Sequence, residues 1–328
     1  MNVLDFSGRV AVVTGAGRGI GRAHALLLAS RGAKVVVNDL GADVMGVGAS
    51  SEPATEVVTE IRAAGGEAIA DGNSVATREG AESLIEAACS RYGPVDVLVH
   101  NAGRNLGDLD SILDVHIRAG FWLTNAVWEA MVARRSGRIV LTTSASGLYG
   151  DGTGPGANPK QPYATAKAAV IGLTKALAMR GAPAGIRVNA ISPTAHTRIV
   201  GLNRGIENTR RGAPPSRATP DWVAANAPAE LVAAGALWLM HDSCPVSGRL
   251  YAIGAGRVGE IFIGVTRGYI APDGELAPED VPAHLSEVHD RGACHVPVDM
   301  GDYAQWVRSI VPGRKSADSN PPSDPAAR

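Results

Sequence analysis

Thr14-Gly15-Ala16-Gly17-Arg18-Gly19-Ile20-Gly21 ends a β-branched run (RVAVVT, residues 9–14) and opens a stretch of helical periodicity (GIGRAHALLLASRG, residues 19–32), after which a second β-branched run follows (KVVVND, residues 34–39). Short apolar runs bounded by turns read as strands, and the 3.6-residue pattern between them reads as a helix. The opening of the chain is therefore a βαβ unit with parallel strands. Four glycines in these eight residues permit a tight strand-to-helix turn. They also let backbone N–H groups at the helix start approach an anionic ligand such as a pyrophosphate.

The same rhythm continues outward. Strand-like runs at residues 67–70, 95–100, 138–143, 187–191 and 250–253 each follow a plausible crossover helix. The expected fold is a doubly wound α/β sheet, largely parallel, covered on both faces and joined by right-handed connections. Residues 201–229 are heavy in Arg, Pro, Gly and Asn and read as a lid or long loop over the sheet's carboxyl edge, a lid of about 199–229. The expected organisation is one domain over 1–256, a C-terminal extension over 257–313 with one strand-like run and an acidic, Pro-punctuated stretch, and a tail over 314–328 whose Pro, Ser and Asp content predicts disorder.

The chain has 328 residues, 31 basic and 32 acidic, well mixed, for a net charge of -1. No global field favours nucleic acid or an anionic membrane, so neither is expected as a partner. Cys89, Cys244 and Cys294 are far apart and form no CxxC pair, which suits reduced thiols rather than disulfides. The opening MNVLDFSGRVAVVTGAG lacks a basic leader and an apolar export core, no uncharged apolar stretch is long enough for a bilayer, and AAR is not an SKL-type address. A cytoplasmic protein is expected. His289, Cys294 and His295 lack a fourth ligand at suitable spacing, and no metal is expected.

Asp39 ends the second strand about 20 residues past the glycine turn, where a carboxylate accepts hydrogen bonds from an adenosine ribose. Its charge would repel a 2′-phosphate, which favours NAD over NADP, while Arg18 argues mildly the other way. His100-Asn101-Ala102-Gly103 ends the fourth strand on the ligand-binding edge; Asn101 either braces the backbone around the cofactor or serves turn geometry. Tyr163 and Lys167 stand four apart in a helical run, PYATAKAAVIGLTKAL, and so share a face. A free phenol has a pKa of about 10, and a nearby cation lowers it toward the range a neutral-pH base needs.

TGxxxGxG at 14–21, NAG at 101–103, Ser144 at the end of the fifth strand and YxxxK at 163–167, in this order, resemble the short-chain dehydrogenase/reductase family over about residues 6–256. Within it, VVVNDLGADVMGVGAS (35–50), TTSASGLYG (142–150) and ALWLMHDSCPVSGRLYAIGAGRVG (236–259) are most similar to the (3R)-hydroxyacyl-CoA dehydrogenase portion of peroxisomal multifunctional β-oxidation enzymes and their bacterial single-domain relatives.

The resemblance implies a Rossmann-type domain with Tyr163 as general acid/base, Lys167 lowering its pKa and holding the nicotinamide ribose, and Ser144 orienting the substrate oxygen. Thr142, Thr143 and Ser146 are close rivals of Ser144, which strand alternation and the TSASG match select. Implied cofactor contacts are Gly15, Gly17, Arg18, Gly19, Ile20, Gly21, Asp39, Ser74, Val75, Asn101, Ala102, Gly103, Pro193, Thr194 and Thr197, with Tyr163 and Lys167. Ser74 stands where the family usually has Asp, and Thr194 where it usually has Gly. His116 takes the position of an Asn that anchors a proton-relay water; a relay role and a packing role stay open. The long stretch GDGTGPGANPKQP (150–162) borders the substrate and is expected to set specificity. The Arg residues 204, 210, 211 and 217 belong to a solvated loop or contact a phosphate-bearing acyl-CoA.

The expected activity is NAD-dependent interconversion of a secondary alcohol and a ketone, with a 3-hydroxyacyl-CoA as the small-molecule substrate. A hydroxysteroid or other hydrophobic alcohol is the rival substrate, and a catalytically silent nucleotide-binding protein of the same fold is the rival class. The family commonly forms dimers or tetramers through helices corresponding to residues 111–133 and 163–180, so a homodimer or homotetramer is expected.

Overall fold

The computed structural model describes residues 3–43, 46–150, 160–198, 218–272, 275–292 and 294–311. Contacts divide the chain into two compact units, Met1–Ile261 and Phe262–Arg328. The first is built on β1 (Val10–Thr14), β2 (Lys34–Asn38), β3 (Glu67–Asp71), β4 (Val97–His100), β5 (Gly137–Thr142), β6 (Ile186–Thr194), β7 (Leu250–Gly254) and β8 (Arg257–Ile261). Their order in the sheet is β3-β2-β1-β4-β5-β6-β7-β8, parallel throughout except for β8. The doubly wound fold expected from the sequence is the fold observed. The order reverses between β1 and β4, which opens a crevice at their carboxyl ends.

The helices are α1 (Gly19–Ser30), α2 (Glu52–Ala63), α3 (Arg78–Tyr92), α4 (Leu109–Leu113), α5 (Ala119–Arg134), α6 (Ala145–Tyr149), α7 (Gln161–Gly181), α8 (Ala218–Asn226) and α9 (Ala229–Ala236). Residues of one strand point alternately to opposite faces, and two cores result. Val13, Val35, Val37, Val97 and Val99 pack with Leu28 of α1, Val57 of α2 and Val232 of α9. Val12, Val36, Leu98, Ile139 and Leu141 pack with Leu84 of α3, Leu123 of α5 and Leu173 of α7. β1, β4 and β5 are buried along their whole length, as their near-continuous apolar sequences require.

Three local departures from the expected layout have physical causes. β8 lies beyond the expected boundary at Gly256, because Ala255 and Gly256, with φ of +49° and +73°, close a two-residue hairpin that folds the next run back on β7. The helix expected over 111–133 is interrupted by a π turn at Asp114–Arg118, which turns His116 inward and buries it. Part of the expected lid is regular helix, α8, ahead of α9; residues 199–217 lie outside the described residues. So do residues 151–159 of the long stretch and the whole of the tail over 314–328.

The second unit is small. Val265–Thr266 pairs antiparallel with Cys294–His295, and Asp299 caps the helix Met300–Ile310 by accepting a bond from the Asp302 N–H at 2.8 Å. His295 stacks on Trp306, with ring centroids 5.0 Å apart, and its Nε2 lies 3.2 Å from Asp302. Among the described residues no group of three or more His, Cys, Asp or Glu is arranged to hold a metal, and no helix is long and apolar enough to cross a membrane.

Candidate active site

The glycine turn between β1 and α1 is held from below by the end of β4. Asn101 Nδ2 donates to the carbonyls of Thr14 and Gly15, both at 3.1 Å, so Asn101 braces the turn. Thr14 Oγ1 accepts from the N–H groups of Asn101 at 3.1 Å and Ala102 at 3.0 Å. Its own hydrogen then points to His100 Nδ1 at 3.1 Å, which leaves the ring proton of His100 on Nε2. Two of its glycines have no space for a side chain. A Cβ on Gly21 would stand 2.1 Å from the Gly15 carbonyl oxygen, and one on Gly15, where φ is +62°, 2.8 Å from the Ala102 Cα.

Asp39 follows β2 and faces the same turn. Its Oδ2 accepts from the Gly17 N–H at 2.8 Å and its Oδ1 from the Gly41 N–H at 2.7 Å, which fixes the carboxylate while leaving lone pairs for a ligand. Asn38 donates to Asp71 at 2.7 Å and to the Asn73 carbonyl at 2.9 Å, joining the end of β2 to that of β3 and setting Ser74 and Val75 on the cleft wall. Arg198 lines the cleft beside Arg18; burial first, then the Arg18 charge, draws its guanidinium below the ordinary pKa, while Asp39 and Asp43 oppose the shift.

At the other end, β5 delivers Ser144 and α7 delivers Tyr163 and Lys167. Ser144 caps α6, its Oγ accepting from the Ser146 N–H at 3.2 Å and keeping its hydrogen free to donate. Gly147 lets α6 lie against α7, since a Cβ there would stand 2.5 Å from the Lys167 carbonyl carbon. Thr143 Oγ1 is spent on the Lys167 carbonyl at 2.6 Å, and Thr142 Oγ1 is buried without a partner. Lys167 is 4% exposed, its Nζ donating to the Thr142 carbonyl at 2.6 Å and lying 5.7 Å from the Tyr163 ring centroid. Burial pushes the Lys167 ammonium down from 10.5 to about 7.

His116 meets Tyr163 edge to face, with ring centroids 5.4 Å apart. Its Nε2 is 2.7 Å from the Arg104 carbonyl, which only accepts, so Nε2 carries the proton and the buried Nδ1 is a bare acceptor. Burial, then the Lys167 charge, holds His116 well below its ordinary pKa, and the same causes in the same order lower His100 to about 4. Both imidazoles are neutral at physiological pH.

These groups line one cleft of about 570 Å³. It brings together Gly15, Arg18, Gly19, Ile20, Asp39, Ser74, Val75, Asn101, Ala102, Gly103, His116, Ser144, Tyr163, Lys167, Pro193 and Thr197. Gly17, Gly21 and Thr194 are absent from its lining. Gly17 serves the turn by donating to Asp39, Gly21 gives clearance beneath the Gly15 carbonyl, and Thr194 ends β6 in register with Gly254. The sequence reading missed Arg104, Asn105, Lys160 and Arg198 on the walls. The glycine clearance, the carboxylate at the end of β2 and a cleft of about 570 Å³ that runs from the glycine turn to Tyr163 fit a dinucleotide.

The family description "short chain dehydrogenase" matches residues 9–203. The chain is 39% identical over 298 residues to the peroxisomal multifunctional enzyme type 2 of Mus musculus, covering 88% of this chain and 37% of that protein. It is 36% identical over 294 residues to a short-chain type dehydrogenase/reductase of Mycobacterium tuberculosis, covering 86% of this chain and 94% of the relative. The structure of the full-length Drosophila melanogaster multifunctional enzyme type 2 superposes with a TM-score of 0.71 at 30% identity, over 94% of this chain and 50% of that one. A short chain dehydrogenase from Mycobacterium avium gives 0.67 at 32% identity, over 88% and 98%. The chain belongs to the short-chain dehydrogenase/reductase family and is an oxidoreductase.

Proposed function

We propose that this short-chain dehydrogenase uses NAD to interconvert a 3-hydroxyacyl-CoA and its 3-oxo counterpart, with Tyr163 as acid and base. The observation that carries the reading is the buried Lys167 ammonium 5.7 Å from the Tyr163 ring centroid, in a cleft shared with Ser144 and the glycine turn. The substrate class is supported by relatives named peroxisomal hydratase-dehydrogenase-epimerase, from Saccharomyces cerevisiae, and 3-oxoacyl-[acyl-carrier-protein] reductase, from Synechocystis. The preference for NAD is supported by the Asp39 carboxylate, which would repel a 2′-phosphate.

Bound along the glycine turn, the dinucleotide supplies a hydride acceptor. Ser144 donates to the substrate oxygen. Tyr163, beside Lys167, takes the alcohol proton as the carbinol hydride departs; in reduction its hydroxyl returns a proton to the forming alkoxide. Lys167 would also hold the ribose next to the nicotinamide. His116, neutral and bonded to the Arg104 carbonyl, packs edge to face against the Tyr163 ring and helps hold it in place. A cytoplasmic homodimer or homotetramer completes the proposal. It is supported by exposed apolar side chains on α5 and α7, among them Phe121 (48%) and Met179 (58%).

Steady-state assays with NAD on panels of (3R)-hydroxyacyl-CoAs and hydroxysteroids test the reading. Reduced nicotinamide is expected with the thioesters, and Tyr163→Phe is expected to lower turnover by about 10²–10⁴-fold. Turnover of steroids without thioesters rejects the substrate class, and equal turnover by wild type and Tyr163→Phe rejects the mechanism.

A further inference from the structure

The segments that follow β2 and β4 stand on either side of the glycine turn, because β1 lies between those two strands in the sheet and sets them about 9–10 Å apart. One side chain spans that gap. Arg104, after β4, and Gly46, after β2, both line the cleft, as do Gly15 and Gly19 of the turn. The Arg104 guanidinium lies against Gly46, where a Cβ would stand 2.8 Å from Nη1 and 2.9 Å from Cζ. It also lies against Gly107, where a Cβ would stand 2.9 Å from Nη2. Both glycines give it room. Its Nε donates to the Leu106 carbonyl at 2.8 Å, which sets the plane of the guanidinium before any ligand arrives.

Among the described residues neither Nη1 nor Nη2 has a hydrogen bond, and the guanidinium makes no ion pair. Its terminal N–H donors remain free. A planar cation in that state suits an anion, and a phosphate can meet its fork at two points. The anionic part of a dinucleotide is its pyrophosphate, which a glycine turn at a helix start accommodates. That turn lies between the two walls Arg104 joins. Resting on the dinucleotide reading of this cleft, we infer that Arg104 is a further binding residue for the dinucleotide, reaching over it from the wall opposite Asp39 and donating Nη1 and Nη2 to the pyrophosphate. The same side chain then bars the way out, and the dinucleotide leaves when the guanidinium swings off Gly46.

Exchange kinetics and fragment binding test the inference together. Stopped-flow fluorescence with NADH, and with NADPH in parallel, gives association and dissociation rates, while titrations with ADP and with adenosine separate the pyrophosphate from the sugar and base. Arg104→Met keeps an unbranched stem, removes the charge and leaves the backbone carbonyl that holds His116 in place. In this variant dissociation of the reduced dinucleotide is expected to quicken by about 10- to 30-fold, with the association rate changed less than about 3-fold. ADP affinity should fall by a similar factor and adenosine affinity should hold. Gly46→Ala sets a Cβ against the guanidinium, so it should quicken release in the wild-type background and add nothing in Arg104→Met. Arg104→Gln gives the same readout if the methionine variant folds poorly. Unchanged release, equal losses for ADP and adenosine, or independent effects of the two substitutions each overturn the role of Arg104 alone. Wild type binding neither NADH nor NADPH overturns the dinucleotide reading, and this inference with it.

Discussion

The burial of Lys167 makes a prediction about stability that is independent of turnover. Its ammonium falls from 10.5 to about 7 in the folded chain because burial disfavours the charged form. Between these values the unfolded chain binds the extra proton, so folding stability rises with pH across the window and is lost as pH falls through about 7. At about 1.36 kcal/mol per pH unit, the full window from 10.5 to about 7 is worth roughly 3–5 kcal/mol, part of it offset by the bond to the Thr142 carbonyl. Lys167→Met keeps the aliphatic stem and removes the titrating group. Urea unfolding without dinucleotide, at pH values from about 7 to about 9.5, should give wild type a slope approaching ~1 kcal/mol per pH unit relative to the variant. Parallel pH profiles for the two proteins would refute the argument, since other ionising groups are common to both.

Two further outcomes follow from the turn. Asp39→Ala removes the carboxylate while leaving Arg18 and Arg198 in place, and the ratio of NADP to NAD dissociation constants should shift toward NADP by about 10-fold or more; an unchanged ratio would contradict the ribose role. In Gly21→Ala the new Cβ would stand 2.1 Å from a backbone oxygen that cannot swing away. The variant should lose about 2–4 kcal/mol of stability, or bind dinucleotide at least 10-fold more weakly, as read by thermal unfolding and fluorescence titration. Wild-type values in both assays would show that the turn relaxes freely.

The sheet was legible because its strands are short valine-rich runs set between glycine turns and amphipathic helices, and the seven parallel strands lie where those runs predict them. β8 was seen only as a strand-like run, because its pairing depends on the positive φ of Ala255, a residue that does not advertise a turn. The π turn left no trace in DVHIRAG, whose apolar spacing continues that of a regular helix. Motif order drew Ser144, Tyr163, Lys167 and the glycine turn into one site, and Asn101 makes two bonds to the turn. Asn105 and Arg198 escaped because their meaning lies in burial and in what surrounds them. The available signal was position: each closely follows a cleft-lining segment, 101–103 and 193–197 respectively.

Thr14 gives the cleft a property of its own. One hydroxyl oxygen takes two N–H groups from the segment after β4 and sends its hydrogen to His100, so all three of its bonding directions are used. β1 and β4 are fastened at the very point where the sheet reverses its winding, and these two strand ends cannot part without breaking three bonds at once. The base stays a fixed datum against which hydride and proton paths keep their spacing.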